Sequence, residues 1–282
     1  MFALFGYVGT PTVQAALPLI DRDKVPLIAP LTGAQLLRQP RNPLIFNLRA
    51  SYHPEIEAIV RYLLRYGRRS IAVVYQNDAY GRDGQLGARK ALASRGLKPV
   101  LEATVQRNSA DTREVARRVA LARPDAVLMI SSYATIASFI PNLRSQGSQA
   151  QVMRVSFVGS NALARALPAQ HRHGVGISQV VPFPWNSRVP VVRDYQNTIR
   201  RNRSGHPYGF SSLEGYIAAT LLVRALQAAG PDLTRAGLIR TMETMAPVDL
   251  WGYRVAFSPQ RRQASDFVEL TFMVGRDGAF IH

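Results

Sequence analysis

The chain contains no cysteine. Disulfides, thiolate nucleophiles and cysteine-ligated metals are therefore excluded. A cysteine-free chain suits an oxidising compartment without requiring one. Lysine is almost missing too, occurring only at Lys24, Lys90 and Lys98, so arginine carries nearly all the basic charge. Acid is scarce: 18 Asp and Glu stand against 35 Lys and Arg, for a formal charge of +17. Histidine offers one close pair, His171-x-His173, too few donors for a zinc site. Asn77, Asp78 and Asp83 lack the alternating carboxylates of a calcium loop. No apolar run reaches the ~18–20 residues needed to span a membrane. Met1 to Tyr7 is apolar but has no positive region or small-residue cleavage site, so it does not read as a signal peptide. There is no G-x-S-x-G elbow and no P-loop. With no nucleophile–base pair and no metal set, no enzyme is expected, and no cofactor.

What is present has a globular balance, 47% hydrophobic and 19% charged, over 282 residues, enough for two compact units. The arginines are scattered: Arg38 and Arg41, Arg65 to Arg69, Arg113 to Arg118, Arg200 to Arg203, Arg261 and Arg262. A nucleic-acid binder concentrates such charge on one face and interleaves aromatics. The scatter instead predicts a solvated surface and no nucleic-acid partner. Its field favours anionic solutes or anionic membrane surfaces.

The hydrophobic pattern alternates between strand and helix. Strands are expected at Phe2–Gly6, Val25–Ala29, Leu44–Leu48, Ser70–Tyr75, Ala126–Ile130, Val155–Gly159, Gly176–Val181 and Phe267–Val274. Thr10 reads as an N-cap before Pro11, opening a helix to about Asp23 that Pro18 weakens. His53 to Tyr66 repeats Ile56, Ile59, Val60, Leu63 and Leu64 at helical spacing. Further helices end at Gly96 and Gly147, and Asp111 to Glu114 resembles a capping box with Asp111 as the cap. Three helices follow Trp185: Val191–Arg203, Ser212–Gly230 and Thr234–Met245. Arg276-Asp277-Gly278 is a turn signal. Alternating βα units imply an α/β fold with mostly parallel sheets flanked by helices.

In such a fold, ligands sit beyond the carboxyl ends of the strands. Four short segments fall there. Gly6-Tyr7-Val8-Gly9-Thr10-Pro11-Thr12 joins a strand to a helix start, where N–H groups and threonine hydroxyls can hold a carboxylate. Pro30-Leu31-Thr32-Gly33-Ala34 brings a second threonine–glycine loop to the same edge. Asn77 to Gly81 and Ser131 to Tyr133 each follow a strand and carry a tyrosine, a flat apolar face with a polar tip. Each segment alone is commonly packing or capping. Four at equivalent strand ends point to a binding edge.

These segments, with Ile45–Arg49, Ile71–Gly81, Pro124–Leu128, Val155–Ser160 and Ser212–Tyr216, resemble the periplasmic binding proteins of branched-chain amino acid (Leu/Ile/Val) ABC importers. The resemblance is colinear from Phe2 almost to the C-terminus. It implies the type I fold: two Rossmann-like lobes, residues 1–67 with 183–250 and residues 68–182 with 251–282, closing on a solute bound between them. It implies that Thr10 holds a ligand carboxylate, that Leu31 and Gly33 give backbone contacts with Thr32 between them, and that Tyr80 and Tyr133 close from the second lobe. The acid that family members place near Val158-Gly159-Ser160 for a ligand ammonium is absent, and Glu214 is the candidate to replace it. The ligand is then an amino acid or another carboxylate, including aromatic acids. The implied partner is a membrane ABC permease and the implied location the periplasm. A ligand-sensing receptor on the same fold, or a non-functional truncated copy, is the alternative. The family's opening strand–helix–strand–helix is not present before Phe2. The first lobe is therefore expected to be incomplete and quicker to exchange its amides than the second, and the chain alone aggregation-prone, weakly stable or completed by another chain.

Overall fold

The computed structural model describes all residues except 158, 203–204, 232, 251–252 and 276. Val158 of the Val158–Ser160 segment, Arg203 at the expected helix end and Arg276 of the expected turn lie outside the described residues. Along the chain run β1 (Leu4–Phe5), α1 (Thr10–Asp23), β2 (Leu27–Ile28), β3 (Ile45–Phe46), α2 (Tyr52–Arg65), β4 (Ile71–Gln76) and α3 (Ala79–Ala93). They continue with β5 (Leu101–Val105), α4 (Arg113–Ala122), β6 (Ala126–Ile130), α5 (Tyr133–Ser145), β7 (Gln151–Arg154), α6 (Ser160–Ala166) and β8 (Gly176–Gln179). The remainder is α7 (Pro190–Arg201), α8 (Phe210–Ala229), α9 (Arg235–Thr244), β9 (Val248–Asp249), β10 (Arg254–Val255), β11 (Glu269–Val274) and β12 (Ala279–Ile281). Among the described residues, no helix is long and apolar enough to cross a membrane.

The chain forms two compact units. Unit 1 comprises Met1–Ser51 and Val180–Phe267, and unit 2 comprises Tyr52–Gln179 and Val268–His282. The boundaries differ from the sequence reading at three places. Helix α2 was expected with the first lobe, but its buried stripe of Ile56, Ile59, Val60 and Leu63 packs on α3, β8 and β11 of unit 2. Residues 180–182 were expected with the second lobe and belong to unit 1. So do residues 251–267. Residues 262–265 run beside the end of β3, where Asn47 N donates to Arg262 O (2.8 Å), Ala264 N to Asn47 O (2.8 Å) and Ser265 N to Leu48 O (3.1 Å).

Unit 1 carries a parallel sheet in the order β1-β2-β3. Val13 and Ile20 of α1, Leu27, Leu44, Ile45 and Leu37 form its core. Helix α1 runs unbroken through Pro18. The N-cap is Gly9, so Thr10 is the first helical residue rather than the cap.

Unit 2 carries a seven-stranded sheet, β12-β11-β8-β7-β6-β4-β5. From β5 to β8 the pairs are parallel, and β11 joins β8 and β12 antiparallel. Strands β4 and β6 are almost wholly buried, which is why they read as continuous apolar runs. The strand expected at Val155–Gly159 lies earlier, at Gln151–Arg154. Strand β5 was not foreseen: it is an edge strand with Glu102 and Thr104 turned outward, and so has no apolar run. The capping box also differs. Thr112 occupies the N-cap of α4, and its hydroxyl bonds Ser138 Oγ (3.1 Å) and Asn142 Nδ2 (3.0 Å) instead of the helix.

Chain order in this sheet leaves β4 for β5 on one side and then crosses to β6 on the other. The reversal lies between β4 and β6, and the crevice beyond their carboxyl ends is where an open α/β sheet takes ligands.

Candidate functional site

Unit 1 sets the loops after β1, β2 and β3 side by side. Gly9 has φ 95°, a left-handed conformation that glycine adopts without strain. Its N–H donates to Leu31 O (3.3 Å), and Leu31 N donates to Tyr7 O (3.0 Å), stitching the first two loops together. Proline in the first turn of α1 omits an N–H that would have no helical acceptor. This geometry brings Thr10 Oγ1 to 2.7 Å from Thr32 Oγ1, with both residues fully buried. Thr32 Oγ1 also accepts Ala34 N at 3.3 Å. With Thr32 as donor of the shared bond, the Thr10 proton is left for a ligand oxygen. Of the other expected residues, Gly33 is buried and Leu31 half-buried in the same loop.

Arg38 ties this loop to its neighbours. Its guanidinium donates to Ala34 O (2.9 Å), Arg49 O (2.9 Å) and Gln263 Oε1 (2.6 Å). Arg49, at the end of the third loop, is buried and lies 3.7 Å from Glu214 on α8. One turn before Glu214, Phe210 packs against Trp185 (5.8 Å between ring centroids) and Phe183 (6.0 Å). Trp185 is 40% exposed, leaving an aromatic face open. Burial pushes the Tyr253 phenol well up, and its hydroxyl donates to Val180 O at 3.0 Å. The edge of unit 1 thus holds hydroxyls, amides, one buried ion pair and an aromatic cluster.

In unit 2 the two tyrosine loops flank the β4/β6 crevice. Asp78 caps α3, with Oδ1 accepting Gly81 N at 3.0 Å. Tyr80 is 1% exposed, and its ring lies 5.2 Å from Tyr52 and 4.7 Å from Phe157. Tyr133, the first residue of α5, is 36% exposed. The structure therefore places Tyr80 inside an aromatic cluster and leaves Tyr133 at the surface.

Residues 154–157 are held by opposite charges. Arg154 donates to Val155 O (3.1 Å) and Phe157 O (2.7 Å). Glu55 Oε2 accepts Ser156 N (2.7 Å) and Ser178 Oγ (2.6 Å). Both side chains are buried. Burial pulls the Arg154 guanidinium down to about 10, and Tyr80 and Glu55 oppose that shift. The pair fixes the turn that carries Phe157 onto Tyr80.

The scatter of arginines in the sequence places most of them on solvated surface. Arg49, Arg154 and Arg262 are buried beside carbonyl or carboxylate oxygens. Glu55 was visible in principle. It falls one turn from Ile59 on the apolar stripe of α2, where a charge needs a partner.

Two α/β units with polar loops at the carboxyl ends of their strands are the architecture of a bilobed solute-binding protein. The family model for periplasmic binding proteins matches residues 1–274, and the chain belongs to this family. A possible leucine/isoleucine/valine-binding protein from Rhodopirellula baltica SH 1 is similar at 31% identity and TM-score 0.93, over 100% of this chain and 78% of that one. A substrate-binding periplasmic protein from Ralstonia solanacearum is 27% identical, with TM-score 0.91, over 99% and 79% of the two chains. A branched chain amino acid ABC transporter protein from Thermus thermophilus with bound valine shares the fold at 18% identity and TM-score 0.86, over 99% and 76%. No curated protein matches by sequence. The family is a solute-binding, non-enzymatic class.

Proposed function

We propose that the chain is the substrate-binding component of an ABC importer and binds a small carboxylate-bearing solute, an amino acid or a related or aromatic acid, for delivery to a membrane permease. Periplasmic location follows from the same reading. Family membership supports the class, and the name of the Rhodopirellula relative supports a carboxylate on an apolar body. The observation that carries the reading is the buried Thr10–Thr32 hydroxyl pair at adjacent strand ends, beside the first turn of α1. There the helix dipole and hydroxyl donors favour a carboxylate. In this assignment Leu31 and Gly33 give backbone contacts, Glu214 is the carboxylate for a ligand cation, and Tyr80 and Tyr133 give ring contacts.

A thermal-shift screen of α-amino acids and of aromatic and aliphatic monocarboxylates identifies the solute, and calorimetry measures its affinity. Thr10→Ala removes one charge-assisted hydrogen bond and should weaken binding by roughly 1–3 kcal/mol. A folded Thr10→Ala variant with unchanged affinity rules out this assignment. Tyr133→Ala should lower affinity with the circular dichroism spectrum unchanged, because the residue lies at the surface, 36% exposed.

A further inference from the structure

At the opposite edge of unit 2, before strands β4, β6 and β7 begin, lies a cavity of about 500 Å³. Its lining includes Arg68, Arg123, Asp125, Gln146, Ser148 and Gln149. The strands separate it from the Tyr80 and Tyr133 loops by about 17 Å, five residues of extended chain. None of its lining residues belongs to the proposed solute site.

The charge in this cavity is unbalanced. Among the described residues, Arg68 reaches only Asp125 O, at 3.5 Å, and its buried Nε has no hydrogen-bond partner. A buried guanidinium N–H without an acceptor is costly unless something else supplies one. Arg123 stands at the end of α4 in a left-handed conformation, φ 47°, and its side chain makes no hydrogen bond or ion pair among the described residues. Arg144 supports the facing loop by donating to Ser148 O (2.8 Å) and Ala150 O (3.0 Å), adding a third positive charge behind it. Asp125 is the one carboxylate in the lining, and its Oδ2 already accepts Arg69 N (2.9 Å) and Ser70 N (2.8 Å).

We infer that this cavity is a second binding site, for a phosphate oxyanion. Residues from three adjacent strand starts line it: Arg68 before β4, Arg123 before β6, and Gln146 and Gln149 before β7. Two guanidiniums with further donors beside them suit the several oxygens of a phosphate better than a carboxylate, whose two oxygens one arginine fork would satisfy. The phosphate has two possible sources, a free anion or the headgroup of an anionic lipid, and both present the same oxygens.

The test uses the full 282-residue chain, isotope-labelled, titrated with inorganic phosphate at low ionic strength against a chloride control. In parallel, it is cosedimented with phosphatidylglycerol vesicles and with phosphatidylcholine vesicles. Phosphate should shift the amides of residues 68, 123 and 146–149 in a saturable way. Arg123→Asn keeps a residue that tolerates the left-handed conformation but removes the guanidinium, and should weaken binding about tenfold or more. Arg188→Gln removes the same charge from an exposed loop of unit 1 and should change nothing. Phosphate binding without vesicle binding assigns the free anion. Vesicle binding that Arg123→Asn weakens and phosphatidylcholine does not support assigns the lipid. The inference is overturned if phosphate acts no differently from chloride at these amides and vesicle binding is indifferent to Arg123. It is equally overturned if Arg188→Gln weakens binding as much as Arg123→Asn, since the effect is then net charge alone.

Discussion

Replacing Glu55 with alanine should destabilise unit 2 by about 3–5 kcal/mol, the usual loss when one partner of a buried charge pair is removed. Three groups lose their acceptor or counter-charge together. Ser156 N and Ser178 Oγ lose the carboxylate oxygen they share. Arg154, buried and already pulled down by desolvation, loses a carboxylate whose charge opposes that shift. Glu55→Gln keeps the shape and one acceptor oxygen, so its loss should be smaller, about 1–2 kcal/mol. Glu102 gives the contrast. Its pair with Arg89 is half in solvent, and Glu102→Gln should cost under about 1 kcal/mol. Amide hydrogen exchange reads the result unit by unit. Val73 and Leu128 in the unit 2 sheet should lose protection in Glu55→Ala, while Ile28 and Phe46 in unit 1 serve as internal references. A loss no larger than that of Glu102→Gln would show that the buried pair contributes nothing.

Gly81→Ala should be nearly as damaging, at about 3 kcal/mol, the upper end of overpacking costs. A Cβ built there lies 1.8 Å from Gln76 O and 2.6 Å from Gln76 C. Both are backbone atoms of β4, so no rotamer relieves the clash. The same face of α3 carries Gly84, whose Cβ would meet Ile130 at 2.8 Å, and Gly87, whose Cβ would meet His53 at 2.9 Å. Three glycines one turn apart let α3 lie against β4, β6 and α2 closer than any side chain permits. Pushing α3 away also moves Tyr80, the residue before Gly81, out of its contact with Phe157. Gly96→Ala provides the comparison: φ is 67° and no atom lies within 4 Å, so only the backbone cost of about 1 kcal/mol remains. Thermal unfolding followed by circular dichroism compares the two, and equal midpoints would overturn the packing argument.

Much of this protein is legible in its sequence where the signal is local. The apolar run of β6 matches Ala126–Ile130 residue for residue, because that strand is buried on both faces. The stripe of α2 marks its helix because one face of it is buried. The loops carrying Thr10 and Thr32 are marked by glycine and proline, and the structure brings those two hydroxyls together. The failures occur where polarity and burial part company. Gln151–Arg154 looks too polar for a central strand, yet Arg154 is buried there with carbonyl partners. The apolar residues after it read as a strand, and residues 155–157 are a loop held by Glu55 and Arg154.

The sequence by itself therefore determined the alternation of strands and helices, the parallel α/β class and the polar loops at the strand ends. Each is a matter of residue period and turn chemistry within about a dozen positions. Only the tertiary structure decided which charges are buried, which unit α2 joins and where unit 1 recovers residues 251–267. Those outcomes depend on partners far apart in the chain: Glu55 and Ser178 are 123 residues apart, and Arg38 and Gln263 are 225 apart. A buried carboxylate or guanidinium is stable only beside its partner, and no local pattern states where in the chain that partner will be found.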